Sequence, residues 1–255
     1  MRYDYSTVED TGVQVDLSTG TATETVSSIA VIDQLSNIEK IVGSNYDDRF
    51  ITNGIVSNYI DGNEGYDPAD TVNDRLEAHG DTIDYSGKST AIKVTLNSST
   101  QATVTVTDAV NDYITNIENV SGSTVKDIIT GDADKNTLLG NAGNDTLDGG
   151  AEADYIDGGA DDDQITGGDG ADILFGGSGN DTFIGTTFTG DKINGDSGTS
   201  NIGLADTVDY STLTGTSSKG IKVTLTGSTT AAVTIDSAVD HTIVNIENIY
   251  GSAFD

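Results

Sequence analysis

Large apolar side chains recur every nine residues through the middle of the chain, at Ile129, Leu138, Leu147, Ile156, Ile165, Leu174 and Phe183. A period of nine fits neither the 3.6-residue turn of a helix nor an unbroken strand. It predicts a short strand that sends one side chain inward, then a tight turn, then the next strand. Two repeats then make one 18-residue coil with a strand and a turn on each side. Elsewhere the pattern becomes alternation. Val13-Gln14-Val15-Asp16-Leu17, Ile92-Lys93-Val94-Thr95-Leu96 and Ile221-Lys222-Val223-Thr224-Leu225 predict strands with one apolar face. Ala102-Thr103-Val104-Thr105-Val106-Thr107 adds the β-branched polar face of a solvated sheet.

The polar positions keep the same register. The frames begin at Gly122, Gly131, Gly140, Gly149, Gly158, Gly167 and Gly176, and the clearest read GNAGNDTLD, GGDGADILF and GGSGNDTFI. Position six holds Asp127, Asn136, Asp145, Asp154, Asp163, Asp172 and Asp181. Glycine at positions one, two and often four allows positive φ and a tight turn. Such a turn leaves backbone carbonyls without ladder partners, and Asp at position six adds a short, hard oxygen. Carbonyls plus carboxylates suit Ca²⁺, which takes several oxygens in flexible geometry. The candidate ligands are the seven position-six side chains, with Gly140, Asn141, Gly143, Gly149, Gly158, Gly159, Gly167, Gly168, Gly170, Gly176, Gly177 and Gly179 in the turns. Turns 18 residues apart stack on one edge, so Asp127, Asp145, Asp163 and Asp181 share one edge and Asn136, Asp154 and Asp172 the other. Gaps between stacked turns give about three cation sites on the first edge and about two on the second, the site at Asn136 weaker for want of a charge.

In-register copies of GGxGxDxUx resemble the RTX, or haemolysin-type calcium-binding, repeat family. The resemblance implies an all-β fold, a parallel β-roll or β-helix solenoid with calcium-binding turns. It also implies secretion, by a type I route.

A longer unit encloses the nonamers. Asp84-Tyr85-Ser86 and Asp209-Tyr210-Ser211 follow Asp81-Thr82-Ile83 and Asp206-Thr207-Val208, and Asp4-Tyr5-Ser6 matches them. After the alternating strands come Asn37-Ile38-Glu39, Asn116-Ile117-Glu118 and Asn245-Ile246-Glu247, each followed by Gly-Ser at Gly43, Gly122 and Gly251. Degenerate nonamers in the first unit place Asp48 and Asp67 at position six, with Asn58 between them. The expected organisation is a short unit over 1–80 with degenerate nonamers at 43–67, a β-helix-like segment over 81–121, and the roll over 122–184. A degenerate stretch at 185–205 and the start of a third unit at 206–255 complete it. Both ends cut through a unit, as in a piece of a longer polypeptide. The segments between nonamers are too short for an immunoglobulin-like sandwich and are expected to continue the solenoid without calcium turns. Coils stacked throughout would give a rod of roughly 65–70 Å. This longer pattern is similar to units of very large secreted RTX-type bacterial proteins such as adhesins and surface-layer proteins.

Composition narrows the reading. Against 42 Asp and Glu stand 11 Lys and Arg, a net charge of -31, and 34 of the acids are Asp. So few cations on so acidic a chain argue against nucleic-acid binding. With 35% hydrophobic residues disorder is the first alternative, and the nonamer periodicity decides against it. No apolar run is long enough to span a membrane, and Met1-Arg2-Tyr3-Asp4-Tyr5 opens no signal-peptide h-region. Zero Cys excludes disulfides, Cys-ligated zinc and Cys nucleophiles. His79 and His241 sit in no metal or triad pattern and are expected at the surface. No GxSxG elbow occurs, and calcium ligation accounts for most carboxylates without catalysis. Tyr5, Tyr85 and Tyr210 recur with the unit and are read as structural. Three functions follow. The first is a calcium-folded structural module of a secreted bacterial surface protein, an adhesin stalk or surface-layer subunit. The second is an accessory or secretion module of an RTX enzyme or toxin. The third is a glycan-binding face on the Thr-rich strands. The expected partners are calcium ions and neighbouring repeats, with self-association or a host surface beyond them.

Overall fold

The computed structural model describes residues 12–26, 29–34, 40–44, 47–52, 57–63, 80–107, 111–185, 190–196, 205–211, 222–224, 230–235 and 238–251. The regular elements among them are all strands, arranged as a 13-stranded and an 11-stranded sheet. The nonamers alternate between the two sheets. Thr137–Ala142, Tyr155–Ala160 and Ile173–Ser178 pair in parallel in one sheet. Thr146–Ala151, Gln164–Asp169 and Thr182–Ile184 do so in the other. Partners lie one coil apart, so Leu138 faces Ile156 and Ile165 faces Phe183. The stretch 185–205, read from sequence as degenerate, contributes a further rung, Lys192–Asp196, parallel to Ile173–Ser178.

Position eight explains the core. Its seven residues are each at most 1% exposed. The inward column continues through Val120, Ile83, Phe50 and Val15 on one sheet and through Val208 and Val94 on the other. One such side chain per nonamer contributes about 1.5–3 kcal/mol. Ile156→Ala is therefore expected to cost about 2–5 kcal/mol, read as an earlier urea midpoint in saturating calcium.

Glycine does two different jobs in the turns. Position two takes positive φ, as at Gly159 (106°) and Gly168 (104°). Position-one glycines such as Gly149 and Gly158 are not in that region. They are required by close approach instead, which departs from the expectation of positive φ at both positions.

The segments between nonamers depart from the expected solenoid coils. Ile92–Thr95, Ala102–Val106 and Asp112–Thr115 form an antiparallel meander. Its outer strands join the stack in parallel, Val94 opposite Ile129 and Ile114 opposite Ile60. The first unit (Gln14–Asp16, Thr21–Val26, Ile29–Gln34) and the third (Lys222–Thr224, Thr230–Ile235, Ala238–Val244) pair in the same antiparallel way. Alternating Val and Thr fits either pairing sense, so the pattern could not decide between them. The first and third meanders lie in the 13-stranded sheet and the second in the 11-stranded one. At about 4.8 Å per strand these described sheets span about 58 and 48 Å.

Buried tyrosines seat the meanders. Tyr85 donates its hydroxyl to Asp112 Oδ2 at 2.9 Å. Tyr210 Oη lies 2.6 Å from His241 Nε2. His241 is buried rather than at the surface. It lies within the third strand of its meander, Ala238–Val244, as Asp112 lies in the third strand of the second, and the recurring buried tyrosine meets each of them. His79 lies outside the described residues.

Candidate metal centre

The position-six side chains stack in two columns. In the first, the N–H of Asp127 donates to Asp145 Oδ1 (2.7 Å), Asp145 to Asp163 (2.8 Å), Asp163 to Asp181 (2.9 Å) and Asp181 to Asp206 (2.9 Å). In the second, Asn136 donates to Asp154 (2.8 Å), Asp154 to Asp172 (2.9 Å) and Asp172 to Asp191 (2.9 Å). Oδ1 of each carboxylate thus holds the preceding coil. The columns run one residue further than the nonamer frames, to Asp206 and Asp191.

The second oxygen is left over. Oδ2 of Asp145, Asp154, Asp163, Asp172 and Asp181 is buried with no hydrogen-bond partner. Each points at the position-one glycine of its own turn. A methyl built on Gly149 would lie 2.3 Å from Asp154 Oδ2 and 2.4 Å from the carbonyl oxygen of Gly167 in the next coil. On Gly158 it would lie 2.3 Å from Asp163 Oδ2 and 2.6 Å from the Gly176 carbonyl. A carboxylate oxygen and a carbonyl oxygen therefore converge beside Gly140, Gly149, Gly158 and Gly176. An unpaired buried acceptor is costly, and a hard cation removes that cost. Among the described residues no three His, Cys, Asp or Glu side chains converge on one point. A cation here would take one or two carboxylates and complete its shell with backbone carbonyls, a donor set that fits Ca²⁺.

Burial is the largest influence on these groups, the hydrogen bond from the preceding column N–H opposes it, and the neighbouring column carboxylate adds to it. Together they raise Asp145 and Asp154 to about 8 and Asp163 and Asp181 to about 7. A bound divalent cation would reverse that shift, since it favours the charged form.

Three expected ligands behave differently. Both oxygens of Asp127 are taken: Oδ1 accepts from the Ile92 N–H (2.7 Å) and Ser123 Oγ (2.9 Å), and Oδ2 from the Ser123 N–H (2.5 Å). Asp48 is held in the same way by Val13 and Ser44. The Asn136 amide accepts from the Asp132 N–H (2.8 Å) and donates to the Glu118 carbonyl (2.8 Å). Serine at position two of the Gly-Ser frames supplies the hydrogen bonds that a cation would otherwise replace. Asp163→Asn is therefore expected to lower the number of bound calcium ions, and Asp127→Asn to leave it unchanged, by equilibrium dialysis.

Asp67 lies outside the described residues. The carboxylate that faces Gly62 is Asp81, and the one that faces Gly195 is Asp206. Sequence reading missed both as site residues, although the signal was present. Asp81-Thr82-Ile83-Asp84 and Asp206-Thr207-Val208-Asp209 repeat positions six to nine of Asp145-Thr146-Leu147-Asp148.

Parallel coils closed by oxygen-lined glycine turns define a calcium-binding β-roll. Residues 121–156 and 148–183 match the RTX calcium-binding nonapeptide repeat. No curated protein matches the chain. Among the described residues no helix is long and apolar enough to cross a membrane.

Proposed function

We propose that the chain is a calcium-folded structural module of a secreted bacterial surface protein, a rigid part of an adhesin stalk or surface-layer subunit. The observation that carries this reading is the row of buried, unpaired carboxylate oxygens in the position-six columns. With one large apolar side chain per nonamer the core is thin, and without a cation the columns at neutral pH must either keep protons that the open chain gives up or stack like charges. Binding energy for the cation is then folding energy. A cell interior with little free Ca²⁺ keeps the chain unfolded and exportable. Outside, Ca²⁺ near the affinities of extracellular modules, about 10⁻⁴–10⁻³ M, folds it. The candidate ligands for this role are Asp145, Asp154, Asp163, Asp172 and Asp181 with the carbonyls of the facing glycine turns.

The recurrence of the whole meander-and-nonamer unit favours a repetitive surface protein over an accessory module of an enzyme, and the chain is read as a non-enzyme. Calcium titration from EDTA into the millimolar range, followed by far-UV circular dichroism, tests the reading. A cooperative rise of β-structure with Ca²⁺ and none with Mg²⁺ is expected. Equal β-structure at neutral pH in EDTA would overturn calcium as the folding switch.

A further inference from the structure

The recurring Asn-Ile-Glu turn has no place in the nonamer, yet the fold sets it into the same columns. Parallel pairing puts Asn119 opposite Thr82 and Val120 opposite Ile83, so Glu118 follows Asp81 at position six. Thr207 opposite Asn248 and Val208 opposite Ile249 likewise put Glu247 after Asp206. The glutamates take over the clamp of the column. Asp81 N–H donates to Glu118 Oε2 at 2.8 Å, and Asp206 N–H to Glu247 Oε2 at 3.0 Å. The N–H groups of Asn119 and Asn248 return to the carbonyls of Asp81 and Asp206 at 3.0 and 2.9 Å, as Thr146 does to Asp127 at 3.0 Å.

The glycine side of the site is reproduced too. A methyl on Gly62 would lie 2.1 Å from Asp81 Oδ2 and 2.0 Å from the carbonyl oxygen of Asn116. On Gly195 it would lie 2.2 Å from Asp206 Oδ2 and 2.1 Å from the carbonyl oxygen of Asn245. They are close to the 2.3 and 2.4 Å found at Gly149, with an asparagine carbonyl in place of the next coil's glycine carbonyl. Asn116 and Asn245 both take φ of 51°, a left-handed conformation that asparagine tolerates. Asp81 and Asp206 are fully buried, and Oδ2 of each has no hydrogen-bond partner. Two independent observations therefore meet: an unpaired buried oxygen, and a carbonyl aimed at the same point.

We propose that these two Asn-Ile-Glu turns each close a divalent-cation site of their own. One is formed by Asp81, Glu118 and the Asn116 carbonyl, the other by Asp206, Glu247 and the Asn245 carbonyl. An all-oxygen donor set with two carboxylates takes Ca²⁺. From Asn116 to Glu118 the chain spans three residues where a nonamer spans six from position one through position six, and the extra methylene of Glu spans the shortfall. Asp81 and Glu118 flank the second meander, and Asp206 and Glu247 the third. The cation thus fastens the two ends of each meander together at its base. Both sites lie outside the stretches that match the nonapeptide repeat. The inference rests on calcium binding by the nonamer turns.

Crystals of the whole chain soaked with Tb³⁺ test it through anomalous peaks. Peaks beside Gly62 and Gly195 as well as beside Gly149 and Gly158 are expected. Peaks at the nonamers alone would overturn the inference, and an absence of peaks at the nonamers would overturn the calcium reading beneath it. In solution, Asp81→Asn and Asp206→Asn should each release about one Ca²⁺ per chain, measured by equilibrium dialysis with Asp163→Asn as the nonamer reference. A full complement of ions in both variants, with a loss in Asp163→Asn, would reject the two sites.

Discussion

Stripped of calcium, the chain is expected to keep its β-structure near pH 4 and to lose it by about pH 9, as followed by circular dichroism in EDTA. The column carboxylates are raised from an ordinary 3.8 to about 8 at Asp145 and Asp154, about 7 at Asp163 and Asp181, about 6 at Asp206 and about 9 at Asp81. Desolvation is the largest cause at each, and neighbouring carboxylates add to it. A folded-state value above the unfolded one means that the metal-free fold binds protons more tightly than the open chain. Its stabilisation is complete below about pH 4, drains away as pH rises above that, and is gone once pH has passed the folded-state values of about 6–9. A proton on Oδ2 does, weakly, what a cation does well. Calcium should abolish the alkaline loss, and its apparent affinity should climb over the same interval because each ion displaces protons. A metal-free chain without β-structure at pH 4, or with the same β-structure at both ends, would contradict this account.

Gly158→Ala is expected to do more harm than its size implies. The new methyl would sit 2.3 Å from Asp163 Oδ2 and 2.6 Å from the Gly176 carbonyl oxygen. Neither can retreat: Asp163 is tied through Oδ1 to the Asp145 N–H, and Gly176 lies in the Ile173–Ser178 strand, parallel-paired on both sides. Steric strain alone should cost about 1–3 kcal/mol, and the methyl occupies the place of the cation. The expected result is a lower calcium stoichiometry and a higher calcium midpoint for folding. Gly87→Ala is the comparison, since nothing lies within 4 Å of its added methyl. It should stay within about 0.5 kcal/mol of the parent. Equal behaviour of the two variants in a calcium titration would show that position one tolerates a side chain.

The roll itself was legible because in a nonamer each position has one role. Leu147 can only face inward and Asp145 can only sit in the turn, so period and geometry coincide. Asp81 and Asp206 were hidden because long stretches separate them from Gly62 and Gly195, and the period of nine is lost there. The Gly-Ser landmarks were visible, but their effect was not. A serine at position two ties up the carboxylate four residues later, which neither residue type reveals alone. The meanders failed for a different reason, since a strand that alternates Val with Thr satisfies parallel and antiparallel neighbours equally. His241 was misplaced because its equivalence to Asp112 exists only once the third strands of two meanders are compared.

Each meander adds two strands to one sheet and none to the other, a wedge of about 10 Å on one flank of the stack. A wedge alone would bend the solenoid away from that flank. The chain crosses between sheets an odd number of times from one meander to the next, and successive wedges therefore fall on opposite flanks. The parity of the nonamer count thus steers the axis: odd crossings cancel the bends, and even crossings would add them into a coil. Nonamers gained or lost in pairs lengthen such an array without turning it, whereas the gain or loss of one alone redirects everything beyond it.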